Sequence, residues 1–180
     1  MRPGPISRGP DMPFDNVVGI AGWKNSGKTT LVERLVRELT GRGLSVSTIK
    51  HAHHDFDIDH PGKDSYRHRM AGAGEVLVAS AQRWALVHEL RDEREPSLEE
   101  LLAQLKPCDV VLVEGFKYGP HRKIEVRRDA KAVLLAQDDA SVVAVASDDP
   151  ALAAGHVCLP LNNAAAIADF IGSLVDLGSP

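Results

Sequence analysis

The 180-residue chain is 43% hydrophobic and 26% charged, a composition typical of a globular protein whose length suits one α/β domain rather than two. Its formal net charge is −4 at pH 7, and no apolar stretch approaches the ~20 residues of a membrane span, so we expect no binding to nucleic acid or membranes. Two cysteines without C-x-x-C spacing, Cys108 and Cys158, favour a reduced, cytoplasmic protein.

The chain begins with a Pro- and Gly-rich segment, which we expect to form a flexible tail over residues 1–15 before one folded domain over residues 16–178. The apolar run at 17–21 predicts a buried strand. Residues 22–29 read Gly-Trp-Lys-Asn-Ser-Gly-Lys-Thr, the pattern G-x-x-x-x-G-K-[ST] of a phosphate-binding loop. Leucines then recur every four residues on one face of a predicted helix. A strand, a glycine loop and a helix in this order form the context that such a loop requires.

The loop contains the residue types that a phosphate site needs. Backbone N–H groups of small residues can turn inward around an anion, and the helix N-terminus adds a partial positive charge. Lys28 supplies a mobile positive charge for the outer phosphates, and the Thr29 hydroxyl can ligate the Mg²⁺ of a nucleoside triphosphate. We therefore predict a nucleotide-binding site formed by Gly22, Lys24, Asn25, Ser26, Gly27, Lys28, Thr29 and Thr30.

The rest of the chain alternates predicted strands with predicted helices. An antiparallel strand pair is predicted at 75–80 and 83–88. Other strands are predicted at 44–49, 109–113, 124–126 and 141–146, and helices at 64–70, from 97 to before Pro107, and from Asn162 or Asn163 onward. This alternation predicts an α/β fold: a single P-loop NTPase domain with a mostly parallel sheet, helices on both faces and the antiparallel pair.

A triphosphate site also needs a carboxylate near Mg²⁺, usually at the end of a second buried strand. The apolar run 110–113 is such a strand and ends in Glu114, which would reach the metal directly or through water. Gly115 permits a close approach of the backbone to the phosphates. The alternative is an ordinary solvated carboxylate at a strand end, but the accompanying glycine loop favours the metal ligand.

The segment 50–65 combines four histidines, four aspartates and two lysines directly after the second predicted strand. In a sheet of this class it lies at the carboxyl edge, where ligands bind. Three interpretations stay open: a transition-metal site, a solvated loop, or a switch loop that faces phosphate and Mg²⁺. In the switch loop, Asp59 and Asp64 would be the carboxylates, with Asp64 as a further metal ligand, and Lys50 or Lys63 the cationic partner.

Together these motifs resemble the MobB family of molybdopterin-guanine dinucleotide biosynthesis adaptor proteins. The specific blocks are His-His-Asp with Pro-Gly-Lys-Asp-Ser in 53–65, Gln-Arg-Trp-Ala at 82–85 and Val-Glu-Gly-Phe-Lys at 113–117, and the resemblance runs from about Val17 to the last helix. It implies a homodimeric, cytoplasmic GTP-binding protein with weak GTPase activity, with GTP and Mg²⁺ as cofactors. It also implies that the protein assists the nucleotidyltransferase that joins GMP to molybdopterin.

The expected chemistry is at most a slow hydrolysis of GTP. Lys28 would stabilise charge, Thr29 and Glu114 would hold Mg²⁺, and Asp59 or Asp64 would orient water. No strong general base is evident, which favours a binding or delivery role. In the wider class of dimeric nucleotide-binding ATPases and GTPases a lysine often follows the first loop glycine; here Trp23 has that place, so the resemblance does not extend to that lysine.

Guanine recognition requires a carboxylate that accepts from the N1 and N2 hydrogens. Asp148 follows the predicted strand 141–146 and is the candidate, with capping of a turn or helix by Asp148 or Asp149 as the alternative. A basic cluster around the strand 124–126 is a candidate contact for the pterin phosphate. It consists of Arg122, Lys123, Arg127 and Arg128.

Two other functions stay open at this stage. The Val-Glu-Gly strand end also resembles that of dethiobiotin synthetase, which implies an ATP-dependent small-molecule kinase or ligase. A metallochaperone GTPase would instead use the histidines of the segment 50–65, namely His51, His53 and His54, as metal ligands.

Overall fold

The computed structural model describes residues 14–52 and 56–175. Most of the expected tail, and His53 and His54 of the histidine-rich segment, lie outside the described residues. The described residues fall into two units, a larger one with residues 14–51 and 98–175 and a smaller one with residues 52 and 56–97.

The predicted strands and helices form with boundaries shifted by at most three residues. The strands are β1 (Val17–Ala21), β2 (Val46–Lys50), β3 (Glu75–Ala79), β4 (Trp84–His88), β5 (Val110–Glu114), β6 (Lys123–Val126), β7 (Val142–Ala146) and β8 (Cys158–Leu159). The helices are α1 (Lys28–Gly41), α2 (Asp64–Met70), α3 (Leu98–Ala103) and α4 (Ala164–Leu174), with short 3₁₀ turns at Leu135–Gln137 and Pro150–Ala153. The two-residue strand β8 and the 3₁₀ turns are too short to leave a periodic pattern in the sequence.

Six strands of the larger unit form one sheet in the order β2-β5-β1-β6-β7-β8, and every neighbouring pair is parallel. The strands β1 and β5 are apolar on both faces because both faces of a parallel sheet are covered. The predicted mostly parallel sheet is therefore confirmed, and β3 and β4 form the predicted antiparallel pair.

Helices cover both faces of this sheet. On one face, Val18 and Ile20 of β1 pack in a core cluster with Leu31 and Leu35 of α1 and with apolar residues of α4. On the other face, Val17 packs with Leu98 and Leu102 of α3. Burying each such side chain stabilises the fold by about 1.5–3 kcal/mol. None of the described helices combines the length and apolar character that crossing a membrane requires.

Helix α4 begins as predicted, because the side chain of Asn163 accepts a hydrogen bond of 3.1 Å from the Ala166 N–H. Its buried residues Ile167 and Ile171 join the core cluster of α1. Helix α2 of the smaller unit begins after Lys63, with Asp64 in its first turn, where a carboxylate complements the helix dipole.

The guanidinium of Arg69 joins several segments of the smaller unit. Arg69 of α2 is only 11% exposed and lies 2.8 Å from a carboxylate oxygen of Asp57 and 2.6 Å from one of Glu89. The hairpin of β3 and β4 pairs Glu75 with His88 at its open end. The ion pair of Arg69 with Glu89, the residue directly after β4, therefore connects α2 to the hairpin.

One face of β6 buries charged side chains in the larger unit. Lys123 is fully buried, and its ammonium donates to the Gly119 carbonyl at 2.6 Å and lies 3.1 Å from Asp139 Oδ2. The expectation that Lys123 contacts a pterin phosphate is therefore wrong, because this ammonium is already satisfied inside the fold. Arg122 donates to the Leu174 carbonyl at the end of α4.

His121, next to this buried lysine, is 1% exposed, and neither ring nitrogen has a hydrogen-bond partner among the described residues. Burial, and secondarily the Lys123 ammonium, lowers the pKa of His121 to about 4. The unfolded chain, with a pKa near 6.5, therefore binds this proton more strongly than the folded chain. The contribution of the neutral His121 to stability is fully present above pH 6.5 and is lost as the pH falls towards 4.

We expect the free energy of unfolding to fall by on the order of 3 kcal/mol between pH 6.5 and 4, because the unfolded chain takes up a proton at His121. Urea denaturation across this range should show a shallower loss for His121→Gln than for the wild type. The exposed His156 provides the control, since His156→Gln should keep the wild-type dependence of the free energy of unfolding on pH. An equal loss of unfolding free energy with falling pH in the wild type and in His121→Gln would contradict the lowered pKa of His121.

Candidate functional site

The phosphate-binding motif forms the loop between β1 and α1. Three of its residues have left-handed backbones, with φ of 136° at Gly22, 63° at Asn25 and 100° at Gly27. A Cβ at Gly22 would lie 2.6 Å from the Val126 carbonyl oxygen of β6. Glycine is therefore required at position 22 for two reasons: its left-handed backbone conformation and the close approach of β6.

The register of the sheet places Glu114 beside the loop. Ile20 of β1 lies opposite Glu114 of β5, so both strands end at the same edge. There the Thr29 hydroxyl donates a hydrogen bond of 2.7 Å to Glu114 Oε1. The structure thus brings together two of the three predicted Mg²⁺ ligands, from positions 85 residues apart.

The loop has the features expected of a polyanion site. The buried Ser26 hydroxyl has no hydrogen-bond partner among the described residues. Lys28 is the first residue of α1, and its ammonium donates to the Trp23 carbonyl at 2.7 Å. Since small residues, a helix N-terminus and a lysine converge here, the residues present fit a bound nucleotide.

Lysines surround this site. Lys50 at the end of β2 lies opposite Glu114 in the sheet, and its role as the cationic partner of phosphate stays a prediction. Burial lowers the pKa of Lys28, while the Glu114 carboxylate acts in the opposite direction. The ammonium groups of Lys117 and Lys50 lower that pKa further. Bringing negative phosphates to this edge would relieve the repulsion among the three ammonium groups.

Two contacts of the loop have no signal in the sequence. Arg128, just beyond β6, donates from Nε to the Ser26 carbonyl at 3.1 Å and packs against Gly27. The Trp23 indole donates to the Val133 carbonyl at 2.7 Å. Both contacts join residues more than 100 positions apart, so they support the loop from a segment that no local pattern connects to it.

The predicted carboxylates Asp59 and Asp64 belong to the smaller unit. Asp59 accepts a hydrogen bond of 3.0 Å from Ser65 and lies 3.7 Å from Arg69 Nε. Asp64 is exposed and lies 3.6 Å from Arg67. Both carboxylates therefore have cationic neighbours within their own unit, and their roles toward water and metal stay predictions.

Asp148, the candidate for guanine recognition, lies exposed after β7 at the carboxyl edge of the sheet. Its carboxylate accepts from the backbone N–H of Asn162 at 3.1 Å and from the side-chain amide of Asn162 at 2.5 Å. The neighbouring Asp149 caps the 3₁₀ turn by accepting from Ala151 at 3.0 Å. A guanine contact by Asp148 would compete with Asn162, and it stays a prediction.

Comparison with known proteins gives consistent matches. The family model of molybdopterin guanine dinucleotide synthesis protein B matches residues 17–148. The molybdopterin-guanine dinucleotide biosynthesis adapter protein of Escherichia coli is 43% identical over 159 residues, which cover 86% of this chain and 90% of that protein. The protein of the same name from Haemophilus influenzae is 42% identical over 157 residues, 86% of each chain.

Solved structures agree with this match. A crystal structure of molybdopterin-guanine biosynthesis protein B is 28% identical, with a TM-score of 0.66 over 89% of this chain and 99% of that one. The structure of Bacillus subtilis MobB is 25% identical, with a TM-score of 0.69 over 88% of this chain and 97% of that one. The six-stranded sheet with its antiparallel pair is therefore a fold shared with these proteins.

The close approach of β6 to the loop can be tested at Gly22. Gly22→Ala should lower the free energy of unfolding by more than about 3 kcal/mol, because it adds a backbone clash to the strain of a left-handed alanine. Gly155 has φ of 88°, but a Cβ added there would meet no atom within 4 Å, so Gly155→Ala should cost only about 1 kcal/mol. Urea denaturation of both variants measures the difference; equal losses would show that no clash occurs.

Proposed function

The chain belongs to the family of molybdopterin guanine dinucleotide synthesis protein B, and on that premise we propose that it is a GTP- and Mg²⁺-binding adapter for this synthesis. In this role it assists the nucleotidyltransferase that joins GMP to molybdopterin. The relatives from E. coli and H. influenzae carry the adapter role in their names. Their identity over most of both chains supports transfer of that role, and the loop supports the nucleotide.

The hydrogen bond between Thr29 and Glu114 is the observation that carries the nucleotide proposal. A hydroxyl and a carboxylate within 2.7 Å of each other at the start of α1 are oxygen ligands of the kind that Mg²⁺ prefers. Bound Mg²⁺ would neutralise part of the phosphate charge. The loop amides and Lys28 would bind the phosphates themselves, and Glu114 would hold the Thr29 hydroxyl in place.

The proposed chemistry is limited to slow hydrolysis. Lys28 would stabilise charge on the terminal phosphate, and Asp59 or Asp64 would orient the attacking water. Glu114 is proposed to bind the metal, and Asp59 or Asp64 to position water, rather than to remove a proton. This division of roles favours a protein that binds and delivers over one that turns over quickly.

A homodimer is the proposed assembly, and the hairpin of the smaller unit supports it. Leu77 and Trp84 are each 60% exposed and Leu86 is 42% exposed, so an apolar patch covers a hairpin of two strands. Two strands alone are marginally stable in water, and such a patch is typical of an interface. Sedimentation of the purified chain measures the assembly, and a monomer at tens of micromolar would overturn it.

Titration of the purified chain with GTP, ATP and molybdopterin in Mg²⁺ tests the proposed function. We expect the wild type to bind GTP more tightly than ATP, and Lys28→Ala to weaken GTP binding at least about tenfold through loss of a charge-assisted contact. Adding the wild type with GTP should accelerate attachment of GMP to molybdopterin by the nucleotidyltransferase, and Lys28→Ala should not. Tight selectivity for ATP would overturn the guanine assignment and favour the kinase or ligase alternative.

Asp148 provides a test of base recognition. Asp148→Ala should weaken GTP binding by about tenfold and leave ATP binding within about twofold, because adenine lacks the two donors that a carboxylate would accept. Asp149→Ala removes a neighbouring carboxylate that caps a turn, and it should affect both nucleotides alike. Equal losses of GTP and ATP affinity in Asp148→Ala would remove the assignment.

A further inference from the structure

Lys117 lies over the aromatic ring of the loop tryptophan. Its Nζ atom is 4.1 Å from the centroid of the Trp23 ring, within cation–π distance. The ring is fixed at its indole nitrogen, because the indole N–H donates to the Val133 carbonyl at 2.7 Å. Trp23, the second residue of the phosphate-binding loop, thus binds the Lys117 ammonium on a ring whose position is held by a hydrogen bond.

The backbone between β5 and Lys117 is held in an uncommon conformation. After Glu114, Gly115 has φ of 102° and Phe116 has φ of 49°, so a bulky residue occupies the left-handed region. Phe116 packs against the core cluster of α3, and its ring lies 4.9 Å from that of His51. Such strain persists only where packing enforces it, and it clusters at functional sites. Packing here directs Lys117 back toward the loop.

Positive charge is concentrated at this edge of the sheet among the described residues. The ammonium group of Lys28 interacts with the Glu114 carboxylate, and Lys50 lies opposite Glu114 in the sheet. That carboxylate already accepts a hydrogen bond from Thr29. Lys117 is near enough to Lys28 for its charge to disfavour the protonated form of Lys28. Several cations grouped at one edge of the sheet are suited to a ligand with several negative charges.

We propose that Lys117 is a third cation of the nucleotide site, which exchanges its contact with Trp23 for one with the terminal phosphate and so distinguishes a triphosphate from a diphosphate. This inference rests on the proposed binding of GTP. Lys28, on the loop itself, reaches the β-phosphate that GDP and GTP share as well as the terminal phosphate of GTP. Lys117 comes from the β5–β6 connection and meets only the added charge of the third phosphate.

The exchange is favourable in direction. A cation–π contact at an exposed ring is weak, and the Trp23 side chain is 39% exposed. A lysine hydrogen bond to phosphate is charge-assisted and stronger. Lys117 therefore leaves the indole when a terminal phosphate is within reach, and the environment of Trp23 changes with it.

Binding measurements separate this role from a general effect of charge. Lys117→Ala should weaken GTP binding about tenfold and GDP binding by less than about twofold, and Lys117→Arg should retain most of the GTP affinity. Lys106→Ala is the matched control: it removes the same charge from an exposed residue before β5, at the opposite edge of the sheet. Equal affinity of Lys117→Ala and Lys106→Ala for GTP would overturn the proposal.

Trp23 fluorescence tests the movement itself. The chain has two tryptophans, so Trp84→Phe, in the smaller unit, leaves Trp23 as the single reporter. We expect GTP to change the Trp23 emission and GDP to change it less, and the GTP-specific change to vanish in the double variant Trp84→Phe, Lys117→Ala. Identical spectra with saturating GTP and GDP would contradict the exchange of contacts.

The outcomes for the two proposals are distinct. If the wild type does not bind GTP, or binds it no more tightly than Lys28→Ala does, the proposed function and this inference are both wrong. Lys28-dependent GTP binding, combined with unchanged affinity in Lys117→Ala and an emission that does not distinguish GTP from GDP, would remove the inference alone. Circular dichroism of each variant confirms that the comparison is made between folded chains.

Discussion

Parallel pairing of β1 with β5 is the constraint on which the site depends. Because Ile20 lies opposite Glu114, the two strands end together, and a carboxylate meets the hydroxyl of Thr29 at the start of α1. A one-residue slip of this register would turn Glu114 to the other face of the sheet. Both strands are buried on both faces, so the apolar core holds in place the strand ends at which the polar site lies.

Close packing around the loop adds a second constraint. Gly22 lets β6 approach within a distance that no side chain permits, and Arg128 supports the loop from the end of the same strand. The loop is therefore enclosed by the strands on either side of β1. A loop supported in this way holds its amides in place before a ligand arrives, which lowers the entropic cost of binding.

Positive charge has two different roles in the larger unit. On β6, the ammonium of Lys123 is buried and satisfied by Asp139 and backbone carbonyls, so it stabilises the fold. At the carboxyl edge, Lys28 and Lys117 lie near each other; the ammonium of Lys28 contacts a backbone carbonyl, and that of Lys117 lies over an aromatic ring. Repulsion between like charges is costly in a stable core and useful at a site for phosphates.

The sequence by itself determined the phosphate-binding loop, the strands and helices around it, the strand end at Glu114 and the parallel class of the sheet. These features follow from periodicity and from residue types at fixed spacing. Only the tertiary structure decided that Thr29 contacts Glu114, that Lys117 lies on Trp23 and that Lys123 is buried. These contacts join residues far apart in the chain, and they depend on strand order and on which segment covers each face, which no local pattern encodes.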